Sequence, residues 1–302
     1  MNGEMKMVHL IHVLDKEDSG KRIEQILRSR FHFSRKLLQR LKLGEFVWLD
    51  GNFVFLNSVG REGQTLVIDL QEDEESTIKG EDLPLEILYE DSLFLAVNKP
   101  AGQVVHPTAK YQSGTLANAV VGYWEKKNEF RPFRPISRLD KNTSGIVLIA
   151  KNRYAHQQIA RQSAKNQVTK KYLGLVQGQF PYESGQFDSP IRLKEDSKIV
   201  REIHQQGLPS KTLYRTLKRY QDYTLLEFIL VTGRTHQIRV HCQSSGYPLL
   251  GDDLYGNGST YISRQALHCY YYAFTNPLDG QRIEIQAPLP EDMRGLIEAD
   301  SI

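Results

Sequence analysis

Apolar residues in the first part of the chain recur with helical spacing. Within residues 23–31 and again within 37–41, isoleucine, leucine and phenylalanine recur about every three or four positions, which predicts two short helices with one buried face each. Ser34 directly precedes the second pattern and is a preferred N-cap residue, and Gly44 is placed to end that helix. The chain is therefore expected to begin with a helix pair.

A hairpin pattern follows these helices. Two apolar runs, at 46–49 and 53–56, flank Asp50-Gly51, a dipeptide typical of a tight two-residue turn. Residues 66–68 supply a further apolar strand. We therefore predict a small α+β domain over residues 1–70.

The remainder of the chain alternates strand and helix patterns. An uninterrupted apolar run at 146–150 has the length and β-branching of a buried strand. The other predicted elements are two strands within 87–99 joined by an acidic turn, a helix at 115–124, a helix at 154–164, strands at 168–176, 198–206, 210–220 and 225–230, and a helix that begins at the turn 232–234.

Composition and charge add two constraints. The 302 residues are 40% hydrophobic and 25% charged, as in an ordinary globular protein, and two cysteines give no disulfide framework. No segment has the apolar run of a signal peptide or a membrane helix, so we expect a cytoplasmic protein without membrane contact. Nothing in the pattern reports the oligomeric state, and we expect a monomer.

Charge is distributed unevenly. Residues 71–92 carry nine acidic and one basic group, whereas residues 93–302 carry 27 basic and 18 acidic groups. Within 21–43 there are eight basic residues and one acidic residue, which suggests a polyanion as partner. Residues 71–82 lack apolar periodicity and are expected to form a solvated acidic linker, which leaves residues 83–302 as a second, larger domain.

The most informative stretch for chemistry surrounds Asp140. It reads Ser-Arg-Leu-Asp-Lys-Asn-Thr-Ser-Gly over residues 137–145 and directly precedes the buried strand at 146–150. Its polar side chains can bond their own backbone in a tight turn and so fix the loop that holds the carboxylate. From these local features alone, a turn-capping role for Asp140 is the simpler interpretation.

The motif Arg-Leu-Asp-x-x-Thr-Ser-Gly resembles the active-site motif of the RluA-type pseudouridine synthases. Other stretches, within residues 91–290, resemble the same family in the same order. They are Asn98-Lys99-Pro100-x-Gly102-x-x-Val105-His106-Pro107, Lys170-x-Tyr172, Gly233-Arg234-Thr235-His236-Gln237-Ile238-Arg239, Gly251-Asp252-x-x-Tyr255-Gly256 and Gln265-Ala266-Leu267-His268.

This resemblance implies an α+β fold with a mixed, largely antiparallel central sheet, peripheral helices and a catalytic cleft. It implies the isomerisation of uridine in structured RNA to pseudouridine. That reaction breaks the bond from N1 to C1′ and rejoins the base through C5. Since no atom leaves and no redox change occurs, neither a cofactor nor a metal is expected.

The resemblance also implies roles for individual residues. Asp140 would be the nucleophile, Arg234 would pair with it, and Tyr172 would pack on the target base. The residues expected to contact the substrate in the larger domain are Arg138, which would fill the gap left by the flipped base, Lys170 and Leu267. The motif leaves open whether Asp140 attacks C1′, attacks the base ring or deprotonates the sugar.

The basic helix pair resembles the S4-type RNA-binding domain, and this favours ribosomal over transfer RNA as substrate. The residues expected to contact RNA there are Arg22, Arg35, Lys36 and Arg40. The alternative for these side chains is a solvated basic face without a ligand. The sequence departs from the S4 pattern at Gly63-Gln64, where the S4 domain usually has Gly-Asp.

A second departure lies in the Asp140 motif, where Ser137 occupies the position of the histidine usual in the synthase family. Two other functional classes stay open. One is a protein on the same scaffold that only binds RNA. The other is a glycoside hydrolase, which needs two carboxylates and would take Asp252 or Asp253 as the second. A zinc site at His241-Cys242 and His268-Cys269 is disfavoured, because their spacing fits no common ligand pattern.

Overall fold

The structure is a computed structural model and describes residues 8–70 and 76–298. The first range forms a small antiparallel sheet in the order β1-β4-β2-β3, with two helices packed against it. Its elements are β1 (His9–Val13), α1 (Ile23–Ser29), α2 (Arg35–Leu41), β2 (Val47–Leu49), β3 (Asn52–Phe53) and β4 (Thr65–Asp69).

The local signals of this small domain are confirmed, with two differences. The Ser34 hydroxyl accepts a hydrogen bond from the Leu37 backbone N–H at 3.3 Å and so caps α2. Asp50 and Gly51 both have positive φ, 49° and 79°, as the hairpin turn requires. Helix α2 ends at Leu41, before Gly44, and the prediction had no equivalent of β1.

The acidic segment is only partly solvated. Residues 71–75 lie outside the described part of the chain. The prediction of a solvated linker is wrong for residues 79–82, because they pack on the helix that follows. The Lys79 carbonyl accepts a bond from the Asn118 side chain at 2.9 Å, and the Glu81 N–H donates to the Asn118 carbonyl at 3.0 Å. The division into domains at residue 70 stays a prediction.

The larger region is built on a ten-stranded sheet. Its path is β10-β13-β14-β9-β15-β8-β6-β5, with β16 paired to β15 and β7 paired to β8. The elements are β5 (Ile87–Glu90), β6 (Phe94–Lys99), α3 (Leu116–Lys126), β7 (Arg134–Pro135), β8 (Ser144–Ala150), α4 (Arg153–Ala164), β9 (Thr169–Gln177), β10 (Ser184–Asp188), β11 (Ile191–Leu193), β12 (Arg201–Ile203), β13 (Lys211–Arg219), β14 (Tyr223–Leu230), α5 (Gln237–Ser244), β15 (Leu267–Thr275), β16 (Arg282–Gln286) and α6 (Glu291–Glu298).

The sheet confirms the predicted α+β architecture. Its strand pairs are antiparallel except for β15 with β8, so the sheet is mixed and largely antiparallel. All seven residues of β8 are buried, as the apolar run predicted. The strand predicted over 198–206 is shorter in the structure, where β12 spans three residues and pairs with β11. Helix α5 begins at Gln237, three residues later than expected.

The parallel pair of β15 and β8 depends on one glycine. Gly145 lies opposite Cys269 with a φ of +112°, which side chains rarely adopt. A Cβ at this position would collide with the backbone of Cys269. Because Gly145 closes the Asp140 loop, the close approach of the two strands fixes where that loop ends.

The small domain rests on the larger one through helix α4. The Gln157 side chain bridges two backbone groups, accepting from the Ser34 N–H at 3.0 Å and donating to the His32 carbonyl at 2.5 Å. The rings of Phe33 and Tyr154 lie 4.9 Å apart beside these bonds. Within 8–70 and 76–298, no helix has the length and apolarity needed to cross a membrane.

We predict that Gly145→Ala lowers the free energy of unfolding by about 3 kcal/mol or more, because it adds a backbone collision to an unfavourable φ. Gly178 also has a positive φ, 73°, but a Cβ there would meet open space. Gly178→Ala should therefore cost only about 1–2 kcal/mol. Urea unfolding of both variants measures the difference, and equal losses would contradict the role given to the Gly145 contact.

Candidate active site

One cleft of about 540 Å³ opens between the Asp140 loop, strand β9 and the turn that precedes α5. It brings together all the site residues predicted for the larger domain. Lining it are Arg138, Asp140, Lys170, Tyr172, Arg234 and Leu267. The residues that the sequence separates by more than a hundred positions therefore share one cavity.

Two buried side chains fix the backbone of the Asp140 loop by hydrogen bonds to its carbonyl groups. The Lys99 ammonium donates to the Lys141 carbonyl at 3.1 Å, and the Arg264 guanidinium donates to the Asn142 carbonyl at 3.1 Å. The loop also closes on itself, since the backbone N–H of the third residue after Asp140 donates to the Asp140 carbonyl at 3.1 Å. The carboxylate is thereby presented from a fixed turn.

Lys99 is fully buried at the end of β6. Its ammonium also donates to the carbonyls of Pro100 and Gln103, at 2.7 and 2.8 Å. Burial lowers the pKa of Lys99 to about 7, an effect that the charge of Asp140 opposes. Three carbonyl acceptors match the three N–H donors of an ammonium group, so this lysine ties the turn after β6 to the Asp140 loop.

The guanidinium of Arg239 pairs with Asp140. Its Nη1 lies 3.2 Å from Asp140 Oδ2, while Nε and Nη2 each lie 2.8 Å from the two carboxylate oxygens of Asp252. Burial alone would lower the pKa of Arg239, but the hydrogen bonds and charge of Asp252, joined by Asp140, raise it well above its ordinary value. A permanently charged fork between two carboxylates orients both.

The prediction that Arg234 pairs with Asp140 is wrong. Arg234 lies before the start of α5, where its side chain is exposed and its Nε donates to the Pro209 carbonyl at 3.2 Å. Because the helix begins at Gln237, Arg239 is the arginine that α5 turns toward the Asp140 loop. Arg234 still lines the cleft, from which it can contact a bound ligand.

His236 lies on the other side of the carboxylate. Its Nε2 is 3.8 Å from Asp140 Oδ2, and its Nδ1 is 2.8 Å from the Tyr255 hydroxyl. That hydroxyl accepts from the Arg201 backbone N–H at 2.8 Å, so its own proton is free to go to Nδ1. We infer that Nε2 carries the imidazole proton and faces Asp140. Burial lowers the pKa of His236, an effect that the charge of Asp140 opposes.

Tyr172 and Leu267 form the apolar side of the cleft. They come from the adjacent strands β9 and β15 and are both buried. Burial raises the pKa of the Tyr172 phenol well above its ordinary value, and the neighbouring Cys269 adds to the rise. Lys170 lies two residues before Tyr172 and lines the same cleft, with its ammonium 5.5 Å from the Tyr272 ring centroid. Lys170 and Tyr172 therefore face the cleft from alternate positions of β9.

Ser137, the departure from the family pattern, has a structural partner. Its hydroxyl accepts from the Leu148 backbone N–H at 3.1 Å, and the residue is buried. This bond fastens the start of the Asp140 loop to the strand that follows the loop. A serine therefore supplies the anchor here without an imidazole.

The basic residues of the small domain do not line the cleft. Arg22 is the N-cap residue of α1, and Arg35 and Lys36 are exposed on the first turn of α2. The Arg40 guanidinium lies 5.3 Å from the centroid of the Phe46 ring. Their predicted contact with RNA concerns a different surface from the one around Asp140.

The residues considered for zinc have other partners. His241 Nδ1 lies 3.0 Å from the Thr212 hydroxyl, and His268 Nδ1 lies 3.0 Å from the Ser144 hydroxyl. Among the residues described, no group of three or more His, Cys, Asp or Glu side chains could hold a metal ion. These histidines pack as neutral rings, and burial lowers the pKa of His268 to about 4.

Sequence reasoning did not assign several residues that shape the site. The sequence does single out Lys99, because it is a charged residue at the end of an otherwise apolar strand. The spacing of residues does not show which carbonyl groups its ammonium contacts. Asp252 was considered only as a second catalytic carboxylate. The positions of Arg239, His236 and Arg264 depend on where α5 starts and on contacts with distant segments.

Comparison with known proteins identifies the family of this chain. The sequence profile of the RNA pseudouridylate synthase family matches residues 93–244. The uncharacterized RNA pseudouridine synthase YlyB of Bacillus subtilis is 37% identical over 288 residues, which cover 93% of this chain and 95% of that protein. Ribosomal large subunit pseudouridine synthase D of Haemophilus influenzae is 33% identical over 318 residues, which cover 98% of this chain and 96% of the relative.

A solved structure has the same fold. Human RNA pseudouridylate synthase domain containing 1 superposes with a TM-score of 0.57 at 27% identity, covering 70% of this chain and 86% of the human chain. Family profile, relatives and fold all point to the same family. The chain therefore belongs to the RNA pseudouridylate synthases, as an isomerase of the RluA type.

Proposed function

We propose that Asp140 is the nucleophile with which this enzyme isomerises a uridine flipped out of structured RNA. One observation carries the proposal: the Asp140 carboxylate lies in the cleft, 3.2 Å from a guanidinium that Asp252 holds in place. The Asp140 side chain is 24% exposed, so a substrate can reach it. A fixed cation at hydrogen-bond distance orients such a carboxylate.

The reaction asks little of the protein beyond one nucleophile and a shaped pocket. The bond from N1 to C1′ breaks, the base rotates, and C5 bonds to C1′. The proton on C5 is lost to a base or to water, and N1 gains one. A carboxylate can add covalently and leave again without net change. Attack at C1′ and attack on the base ring both fit the accessible position of Asp140.

The walls of the cleft suit a flat base. The Tyr172 ring offers a stacking surface, and Leu267 covers an edge from the adjacent strand. Extruding a base from a duplex costs a few kcal/mol, and a side chain has to fill the vacated space. Arg138 is exposed at the rim of the cleft, two residues before Asp140, and its planar guanidinium suits that task.

A glycoside hydrolase is less well supported. Its mechanism needs a second carboxylate that is free to activate water or to protonate a leaving group. Both oxygens of Asp252 accept bonds from Arg239, and Asp252 Oδ1 also accepts from the Leu254 and Tyr255 N–H groups at 3.1 Å each. Asp252 is fully buried, which leaves it without access to a substrate.

Ribosomal RNA is the proposed substrate. Relatives that cover nearly the whole chain include enzymes named ribosomal large subunit pseudouridine synthase D. The basic helices of the small domain would add a second contact with the RNA, as an S4-type domain does. We expect the enzyme to act as a monomer. Exposed Arg35 and Lys36 on α2 are the side chains best placed for phosphates.

We predict that Asp140→Asn abolishes tritium release from ribosomal RNA labelled with tritium at uridine C5, because a neutral amide is not a nucleophile. Wild-type enzyme should release the label into water, since C5 loses its hydrogen. The RNA should be transcribed in vitro so that its uridines are unmodified.

Filter binding of the same RNA is the control, and Asp140→Asn should bind within about twofold of wild type. Release at the wild-type rate by the variant would eliminate Asp140 as nucleophile. If the wild type released no tritium from unmodified RNA, the result would instead favour a protein that only binds RNA.

A second prediction concerns the small domain. Arg35→Gln with Lys36→Gln should weaken RNA binding and reduce the slope of log K against log salt by about 1.4–1.8, since each phosphate contact contributes roughly 0.7–0.9. The turnover number under saturating RNA should stay unchanged. An unaltered salt slope would mean that these side chains form only a solvated face.

A further inference from the structure

A second cavity lies at the seam between the small domain and the larger one. This seam cavity has a volume of about 550 Å³ and is bounded by the loop after α1, the outer side of α4 and the turn between β15 and β16. Its charged and ionisable lining residues are Arg30, His32, Arg161 and Arg282. Among the described residues that line it, none is acidic.

The seam is built by specific contacts. His32 has a positive φ of 55°, which turns the chain so that its carbonyl and that of Phe31 accept bonds from Gln157 and Gln158 of α4, at 2.5 and 2.8 Å. Arg282 is fixed on the far wall, where it donates to the Gln167 carbonyl at 2.9 Å. The cavity therefore has walls set by hydrogen bonds from both domains.

Two of the cations near the seam are not neutralised. Arg30 is paired with Asp15 and Asp18, at 2.5 and 3.2 Å. In contrast, neither Arg161, which lines the cavity, nor Lys165, which caps the end of α4 outside that lining, pairs with a carboxylate in the part of the chain that the structure describes. Both lie close enough to His32 to lower its pKa together with burial, which is a sign of positive potential at the seam.

One stretch of chain, residues 161–170, borders the seam cavity at its beginning and the active-site cleft at its end. A side groove of about 440 Å³, formed by the end of α4 and the segment after β14, shares Lys170, Leu230, Gly233 and Arg234 with the cleft. Ser163, Ala164, Asn166 and residues 168–170 line this groove, and Arg161, Gln162 and Gln167 of the same stretch line the seam cavity. The three cavities thus follow one another from Asp140 to the small domain.

We propose that the seam cavity binds the phosphate backbone of the RNA substrate, as a site separate from the cleft that receives the uridine. A polyanion matches a cavity lined by Arg161 and Arg282, neither of which pairs with a carboxylate among the described residues, and Lys165 adds a third positive charge close to His32. The side groove lies between this cavity and the cleft along the same stretch of chain. The site also couples the two domains, because RNA seated there contacts both. It rests on the proposed function only in taking RNA as the partner.

The test is the salt dependence of binding to unmodified, in vitro transcribed large-subunit ribosomal RNA. Arg161→Gln with Lys165→Gln should reduce the slope of log K against log salt by about 1.4–1.8 and weaken binding roughly three- to tenfold at 0.15 M salt. The turnover number at saturating RNA should equal that of wild type, because neither side chain lines the cleft.

The matched control is Lys218→Gln with Arg294→Gln, which removes the same charges at sites that line none of the three cavities. Lys218 and Arg294 are both exposed, Lys218 over the Tyr220 ring and Arg294 paired with Glu291. This variant should keep the wild-type slope. Equal slopes in the two double variants would overturn the proposal and leave the cavity to a partner other than RNA.

Lys165→Gln alone guards against a folding defect, since this side chain is exposed. It should lower the slope by about 0.7–0.9 with an unchanged thermal midpoint, and an unchanged slope would count against the site. Equilibrium binding needs no turnover. If Asp140 were shown not to be the nucleophile, these salt slopes would therefore be unaffected. If the seam cavity were shown not to bind RNA, tritium release by the wild type would be unaffected.

Discussion

The ion-pair network Asp140–Arg239–Asp252 is the interaction on which the site depends. Arg239 donates to both carboxylates from one rigid fork, and Asp252 is fully buried, so neither partner can move without leaving a charge unpaired. Such a loss costs several kcal/mol in a buried setting. The network joins helix α5 to the Asp140 loop and thereby sets the distance between the two walls of the cleft.

Backbone constraints complete what the ion pairs begin. Lys99 and Arg264 hold two successive carbonyls of the Asp140 loop, and Gly145 ends the loop where β8 meets β15. These groups contact no part of the cleft that a base would enter, yet they fix where the carboxylate stands. Among the described residues that line the cleft, Asp140 is the single carboxylate, so this positioning is the main contribution the fold can make.

The sequence predicted those features that local chemistry determines. The Ser34 cap, the Asp50-Gly51 turn, the buried strand β8 and the motif around Asp140 each follow from a few adjacent residues. Arg234 was assigned wrongly because the motif contains two arginines, and which of them faces Asp140 depends on where the helix begins. His236 adopts a left-handed conformation, so α5 begins after it, at Gln237, and the helix carries Arg239. The packing of residues 79–82 on α3 and the seam on α4 depend on contacts between distant segments, which no local pattern reports.

The most direct test of this account compares Arg239→Lys with Arg234→Lys in tritium release under single-turnover conditions. Lysine keeps the charge but cannot engage two carboxylates at once. We predict that Arg239→Lys lowers the rate by about 100-fold or more, while Arg234→Lys stays within about threefold of wild type. The reverse order, with the larger loss at Arg234, would contradict the assignment of Arg239 as the partner of Asp140.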